Sequence, residues 1–382
     1  MSGPLEGIRI VELAGIGPGP YACMLLADAG ADIIRIDRPP AVPPSGSQTG
    51  PYWDILNRSR KSVSIDLKHA EGINLVLDLV AGADALIEGF RPGVADRLGL
   101  GPDACFERNE RLVYGRMTGW GQDGPIAQSA GHDIDYIALA GALWAIGRDG
   151  EAPVPPLNLV GDFGGGGMML AFGVCAALLD AKRSGHGQVV DAAMVDGAAS
   201  LMTMTFAFKE LGLWDDGRSS NPLDSAAPFY EVYETADGKW FAVGAIEPQF
   251  YATLIQLLGI DAGDLPPQND RTQWPETKKR FAAIFKEKTR REWDAIFAGT
   301  DGCGAPVLSP WEAHEHEHNR ARGTFVEVDG ITQPGPVPRF SRTPAAVSKP
   351  PSRPGADTDT ALAEWGIPSD RLVTLRQHGA IS

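Results

Sequence analysis

The chain has 382 residues, a length that corresponds to two or three domains. Its apolar fraction of 43% is enough for a sizeable core and excludes global disorder. A net charge of −15, from 34 basic and 49 acidic residues, argues against binding a nucleic-acid backbone or an anionic membrane surface.

Residues 8–13 form a short apolar run suited to a buried strand, followed by the turn Ala14-Gly-Ile-Gly-Pro-Gly-Pro20. Residues 21–30 carry apolar positions at helical spacing, and 31–36 read as a second strand. This is a β-loop-α-β unit of a parallel sheet. Further strands are expected at 62–65, 83–88 and 112–117, with a helix over 70–81. A helix from Ile137 to Ile146 follows a polar Gly-His-Asp segment. A long apolar helix over 164–183 stops at Gly185-His-Gly187, and 188–195 is the next strand. The longest apolar stretch, Met168 to Leu179, ends at Asp180, short of the ~20 residues a bilayer span needs.

The pattern changes after about Leu213. Strands at 230–235 and 239–243 flank Ala236-Asp-Gly238, a hairpin signal. Amphipathic helices follow at 249–258, 277–288 and 292–298, then a Pro- and Ser-rich tail with a helical stretch near 360–365. The expectation is an α/β protein: a large, open, Rossmann-like domain over 1–200, a linker over 201–225, a smaller α+β domain over 226–330, and a C-terminal segment over 331–382. The loop from Pro39 to Tyr52 shows no regular pattern.

Neither end suggests an address. The start lacks a basic region followed by an apolar one, and the end, Ala380-Ile-Ser382, is not a peroxisomal signal. Cys23, Cys105, Cys175 and Cys303 are widely spaced, which suits reduced thiols in the cytoplasm.

Several segments invite chemistry. Gly15-Ile-Gly17 with Asp37 after the next strand has the spacing of a dinucleotide site. However, Pro20 stands where the third glycine belongs, and Pro18 and Pro20 remove two N–H donors from the loop, which favours a plain strand-to-helix turn. Arg38, at the end of that second strand, is well placed for a phosphate. Asp162 precedes Gly164-Gly-Gly-Gly167 without a P-loop ending, and serves either as a helix cap or as a catalytic carboxylate beside a close backbone approach. His314, His316 and His318 could meet a metal, with 314 and 318 on one helix face, but Glu315 and Glu317 suggest a solvated surface.

His132 lies in Gly131-His-Asp-Ile-Asp-Tyr136, at a helix start. It is either a cap or a general base beside oxyanion-stabilising N–H groups. His132 and Asp162 thus form a pair of candidate bases in one domain, an arrangement suited to removing a proton from carbon on one face and returning it on the other.

These motifs resemble those of the family III CoA-transferases. The resemblance rests on Val11-Glu-Leu-Ala-Gly-Ile-Gly-Pro-Gly-Pro20, Ala31-Asp-Ile-Ile-Arg-Ile-Asp-Arg38, Glu88-Gly-Phe-Arg-Pro-Gly93, Arg116-Met-Thr-Gly-Trp-Gly-Gln122, Gly131–Tyr136 and Gly185-x-Gly-Gln-Val-Val-Asp191. They occur in the family's order over nearly the whole chain, and their match is nearest to the α-methylacyl-CoA racemase branch. The resemblance implies an interlocked, ring-like homodimer with both termini in the large domain. It places CoA along Arg38, Ile65, Asp66, Leu67, Lys68, Ile87, Glu88, Gly89, Arg91, Gly131, Ile134, Asp135 and Tyr136. Arg38, Lys68 and Arg91 also supply the cations that CoA phosphates need on an acidic chain.

The family's transferases use the aspartate matching Asp133 as a nucleophile, whereas its racemases precede that aspartate with histidine, here His132. Asp162 is matched in both branches, and Glu247 matches the small-domain carboxylate that orients the histidine. The resemblance therefore implies interconversion of (2R)- and (2S)-2-methylacyl-CoA thioesters through an enolate. CoA would be part of the substrate, with no metal or other cofactor and neither nucleic acid nor membrane as partner. A CoA-transferase working through Asp133 is the alternative, and a non-catalytic nucleotide-binding module a third reading.

Overall fold

The computed structural model describes residues 3–39 and 54–382, so the Pro39–Tyr52 loop lies almost wholly outside the described residues. The chain divides into two units: Met1–Ala140, Leu157–Leu201 and Arg322–Ser382 form the first, and Gly141–Pro156 with Met202–Ala321 the second. Residues 202–225, expected as a linker, cluster with the second unit, as do 141–156.

The first unit opens with β1 (Arg9–Leu13), α1 (Pro18–Asp28), β2 (Asp32–Asp37), β3 (Lys61–Ser64), α2 (Ala70–Ala81) and β4 (Ala85–Glu88). It continues with α3 (Val94–Leu98), α4 (Pro102–Arg108), β5 (Val113–Thr118) and α5 (Asp133–Leu139). A π-helical turn, Leu159–Gly167, leads into α6 (Met168–Ser184), β6 (Val189–Ala193) and α7 (Met194–Leu201). The six strands form one sheet in the order β3-β2-β1-β4-β5-β6, parallel throughout.

Strand alternation sends successive residues to opposite faces. In register, Ile10, Ile33, Ala85 and Val113 join one core with α1 and α6, while Val11, Ile34, Leu86 and Tyr114 join the other with α2. Both faces are covered, as an all-parallel sheet requires.

The second unit contains α8 (Thr203–Glu210), β7 (Tyr230–Glu234), β8 (Trp240–Gly244), α9 (Pro248–Leu257), α10 (Trp274–Phe285), α11 (Arg290–Phe297), β9 (Gly304–Pro306) and α12 (Glu317–Arg322, whose last residue falls to the first unit). Its three strands are antiparallel and pack an aromatic core including Phe241, Phe281, Phe285 and Trp293. The chain then adds β10 (Phe325–Val328) and β11 (Ile331–Pro334), joined by Asp329-Gly330, both at positive φ, and ends in α13 (Thr358–Glu364) and α14 (Ser369–Gln377). Leu362, Leu372, Leu375 and Ile381 bury into the α2 side of the sheet core.

Four local expectations are corrected. The helix expected over 137–146 is α5, which stops at Leu139 because Gly141 takes a φ of 84°. The helix expected from Gly164 begins earlier, in the π turn. The continuous helical segment Leu159–Ser184 has 26 residues and is long and apolar enough to cross a membrane. Yet Leu170, Val174, Leu178 and Ala181 pack one stripe of it into the sheet core. Finally, His314 sits in a 3-10 turn (Ala313–Glu315) and His318 in α12, so the two share no helix face. Among the described residues no group of three or more His, Cys, Asp or Glu could hold a metal.

Candidate active site

In this strand order the chain reverses direction of travel between β1 and β4, and open parallel sheets bind ligands at the carboxyl ends of the strands at such a point. A cavity of about 620 Å³ lies there, lined by 15–20 after β1, 87–92 in and after β4, 117–120 at the end of β5, and 129–132, Tyr136 and Asp162. His132 and Asp162, 30 positions apart by their numbers, line the same cavity.

His132 precedes the first turn of α5 in extended conformation, and its backbone N–H donates to Asp135 Oδ2 at 3.0 Å. This cap holds the exposed imidazole at the cavity. Tyr136 sits one turn further on. Its hydroxyl donates to the Gly131 carbonyl, and its ring meets Trp120 edge-on at 4.8 Å between centroids. A Cβ at Gly131 would lie 2.8 Å from that ring, so the segment closes only because residue 131 has no side chain.

Asp162 lies within the π turn and does not cap the helix that follows. Asn158 Nδ2 donates to its Oδ2 at 3.2 Å, and its own N–H donates to Asp133 Oδ2 at 2.7 Å. Burial raises its carboxyl above the ordinary value and the Asp133 charge adds to this, while Asn158 and His132 pull the other way. Turns of this type are frequent at functional sites. Asn158 was missed from sequence, although an amide four residues before a carboxylate at a helix start is a readable signal.

The four glycines after Asp162 serve packing and not substrate approach. A Cβ at Gly165 would come within 2.5 Å of the Ala198 nitrogen, and at Gly167 within 2.8 Å of the Pro18 carbonyl. The Gly15–Pro20 turn in turn lines the cavity: Gly17, at φ 68°, would place a Cβ 3.5 Å from Asp162 Oδ2. It faces a carboxylate, which disfavours the pyrophosphate reading.

Of the residues expected to hold CoA, Ile87, Glu88, Gly89, Arg91, Gly131 and Tyr136 line this cavity. Glu88 is buried, accepting the Phe90 N–H at 2.7 Å and Arg116 Nε at 3.0 Å, and burial raises its carboxyl. Its work is to fix the turn that presents exposed Arg91. Ile87 is 1% exposed and packs in the core.

Arg38 and the segment Ile65–Lys68 do not line the cavity. They follow β2 and β3 on the same carboxyl edge, where Arg38 and Lys68 are exposed. The Asp66 N–H donates to the Ala380 carbonyl, and Ile65 bridges to Ile381, so the C-terminal residues hold this segment. Leu67 packs partly against the core. Ile134 and Asp135 are exposed on α5, outside the cavity lining.

Two expected catalytic residues are not among those lining the cavity. Asp133 is 5% exposed and absent from the cavity wall. Glu247 belongs to the second unit, where it is exposed and immediately precedes α9.

Known proteins resemble this chain over almost its whole length. The chain is 46% identical over 374 residues to a protein named alpha-methylacyl-CoA racemase from Mus musculus, covering 97% of this chain and 96% of that one. It is 45% identical over 381 residues to the protein of the same name from Homo sapiens, covering 99% and 97%. The crystal structure of a CAIB/BAIF family protein from Brucella suis shares the fold, with a TM-score of 0.82 at 24% identity over 96% of this chain and all of that one. Residues 5–360 match the model of CoA-transferase family III, and the chain belongs to that family.

Proposed function

We propose that the protein interconverts (2R)- and (2S)-2-methylacyl-CoA thioesters by 1,1-proton transfer. The observation that carries this reading is that His132 and Asp162 line one cavity at the β1/β4 switch point. The thioester acidifies the C2 proton by delocalising charge onto the carbonyl oxygen. For one epimer neutral His132 removes the proton and protonated Asp162 donates another to the opposite face. For the other epimer the ionised Asp162 removes the proton and the imidazolium returns one. The pair holds one proton between its members in either resting form, so its pH profile is bell-shaped. Raising the Asp162 carboxyl favours the proton-bearing form that the first direction needs. Backbone N–H groups opening α5 are the donors to the enolate oxygen.

Arg91, with Arg38 and Lys68 further along the sheet edge, binds the CoA phosphates. CoA enters as part of the substrate, and the chemistry needs no metal or further cofactor. Spaced, free thiols suit a cytoplasmic enzyme. Exposed Met168, Phe172 and Leu179 on α6 support a homodimer that covers them. Phe172→Asp should then shift the protein to monomer in sedimentation. A transferase working through Asp133 is disfavoured, because that carboxylate is buried against the Asp162 backbone.

The test is incubation of one 2-methylacyl-CoA epimer in deuterated water with no acceptor acid. Deuterium should enter at C2 as optical purity falls. No deuterium at C2, with CoA passing to a second carboxylic acid when one is added, would support the transferase instead.

A further inference from the structure

Asp133 connects the two bases physically as well as in sequence. It follows His132 directly and opens α5. Its Oδ2 accepts the Asp162 N–H at 2.7 Å, a contact spanning 29 residues, while its Oδ1 is buried without a partner among the described residues. Burying a carboxylate with one oxygen orphaned is unfavourable, so the contact that remains has to offset a real cost. The turn needs that contact. Phe163 N–H reaches the Asn158 carbonyl only at 3.4 Å, and Asp162 directs its own N–H to Asp133. Gly161 completes the fit, since a Cβ there would lie 2.7 Å from Asp133 Oδ2.

We propose that Asp133 is a positioning residue whose buried carboxylate grips the Asp162 backbone N–H and so fixes the π turn that carries the second base into the cavity lined by His132. The role of Asp162 rests on the racemase reading. The grip itself does not.

The experiment compares Asp133→Ala, Asp133→Asn and Gly161→Ala by steady-state racemisation and by backbone hydrogen exchange over 158–165. Asp133→Ala removes the acceptor and should lower kcat by about 10²-fold with KM within about threefold, because a small misplacement of a catalytic group has that effect. Asparagine keeps a carbonyl oxygen that can accept the same N–H, so Asp133→Asn should restore kcat to within about tenfold of wild type. Besides burial, the groups acting on the Asp162 carboxyl are Asn158, which hydrogen-bonds to it, and the charges of Asp133 and His132. Losing the Asp133 charge should therefore move the acid limb of the Asp162-dependent rate to lower pH. Gly161→Ala displaces the carboxylate without deleting it and should lower kcat as Asp133→Ala does.

Amide exchange at Asp162 should quicken in Asp133→Ala and Gly161→Ala and stay slow in Asp133→Asn. The proposal is overturned if Asp133→Ala keeps wild-type kcat, if folded Asp133→Asn is as inactive as Asp133→Ala, or if hydroxylamine traps an acyl adduct on Asp133. If Asp133→Ala does not fold, the other two variants decide by the same criteria. A wild-type enzyme that fails to exchange C2 deuterium overturns the racemase reading alone, and amide exchange at Asp162 still scores the grip.

Discussion

His132 and Asp162 reach their cavity by different devices, a helix cap for one and a π turn for the other, and each should be removable separately. His132→Gln and Asp162→Asn should each cut racemisation by 10²–10⁴-fold, the usual worth of a positioned acid or base, since every direction needs both. Each variant should still exchange C2 deuterium with the epimer whose proton faces the surviving base. Equal loss of exchange from both epimers in both variants would refute the two-base assignment. Asp162 also makes a statement about stability. Its carboxyl titrates above the ordinary value because burial and Asp133 oppose its charge. The stabilisation that follows is present below the ordinary carboxylate pKa and is lost as pH rises through the raised one. Above that raised value the folded protein carries an ionised carboxylate that burial and Asp133 disfavour. Asp162→Asn should raise Tm at pH 7, and the difference should vanish as pH falls below the ordinary carboxylate range.

Among the elements, the π turn Leu159–Gly167 carries the greatest constraint. It packs between α1 and α7 at backbone-to-backbone distance, which only glycine permits. Gly165→Ala would press a methyl group to 2.5 Å from the Ala198 nitrogen, a clash no rotamer can relieve. The cost should reach about 1–3 kcal/mol or more, as for other overpacked sites. A lowered denaturation midpoint together with lost activity would show that packing and catalysis share this element. An unchanged midpoint would mean that the turn tolerates displacement. By contrast α2, bounded by the His69 cap and Gly82, matches its expected limits, because its amphipathic pattern and its cap act locally.

For the molecule as a whole, the net charge of −15 makes the cations of the site more telling. Arg91 is held at the cavity by a turn that buried Glu88 braces, whereas Arg38 and Lys68 follow β2 and β3 further along the same edge. Arg91→Ala should raise KM for the CoA thioester at least about tenfold, since a charge-assisted contact is worth roughly 1.5–3 kcal/mol. An unchanged KM in both Arg91→Ala and Arg38→Ala would remove these cations from the CoA site. Strand order determines the spacing: β3 and β2 lie on one side of β1, and β4 on the other, so loops far apart in sequence end on one edge.

The sequence by itself determined what depends on neighbours along the chain: the parallel strands, most helices, and the motif set that placed the chain in its family. The β10–β11 hairpin around Asp329-Gly330 went unread, because it opens a Pro- and Ser-rich tail that hides its alternation. Only the tertiary structure decided that the Gly164–Gly167 run packs against α1 and α7, that Glu88 is a brace, and that Asp133 turns away from the cavity to hold the Asp162 backbone. Each of these depends on which distant group a residue meets. Local periodicity carries no record of that, because contacts across tens of residues are set by how the sheet orders its strands and how closely the helices pack.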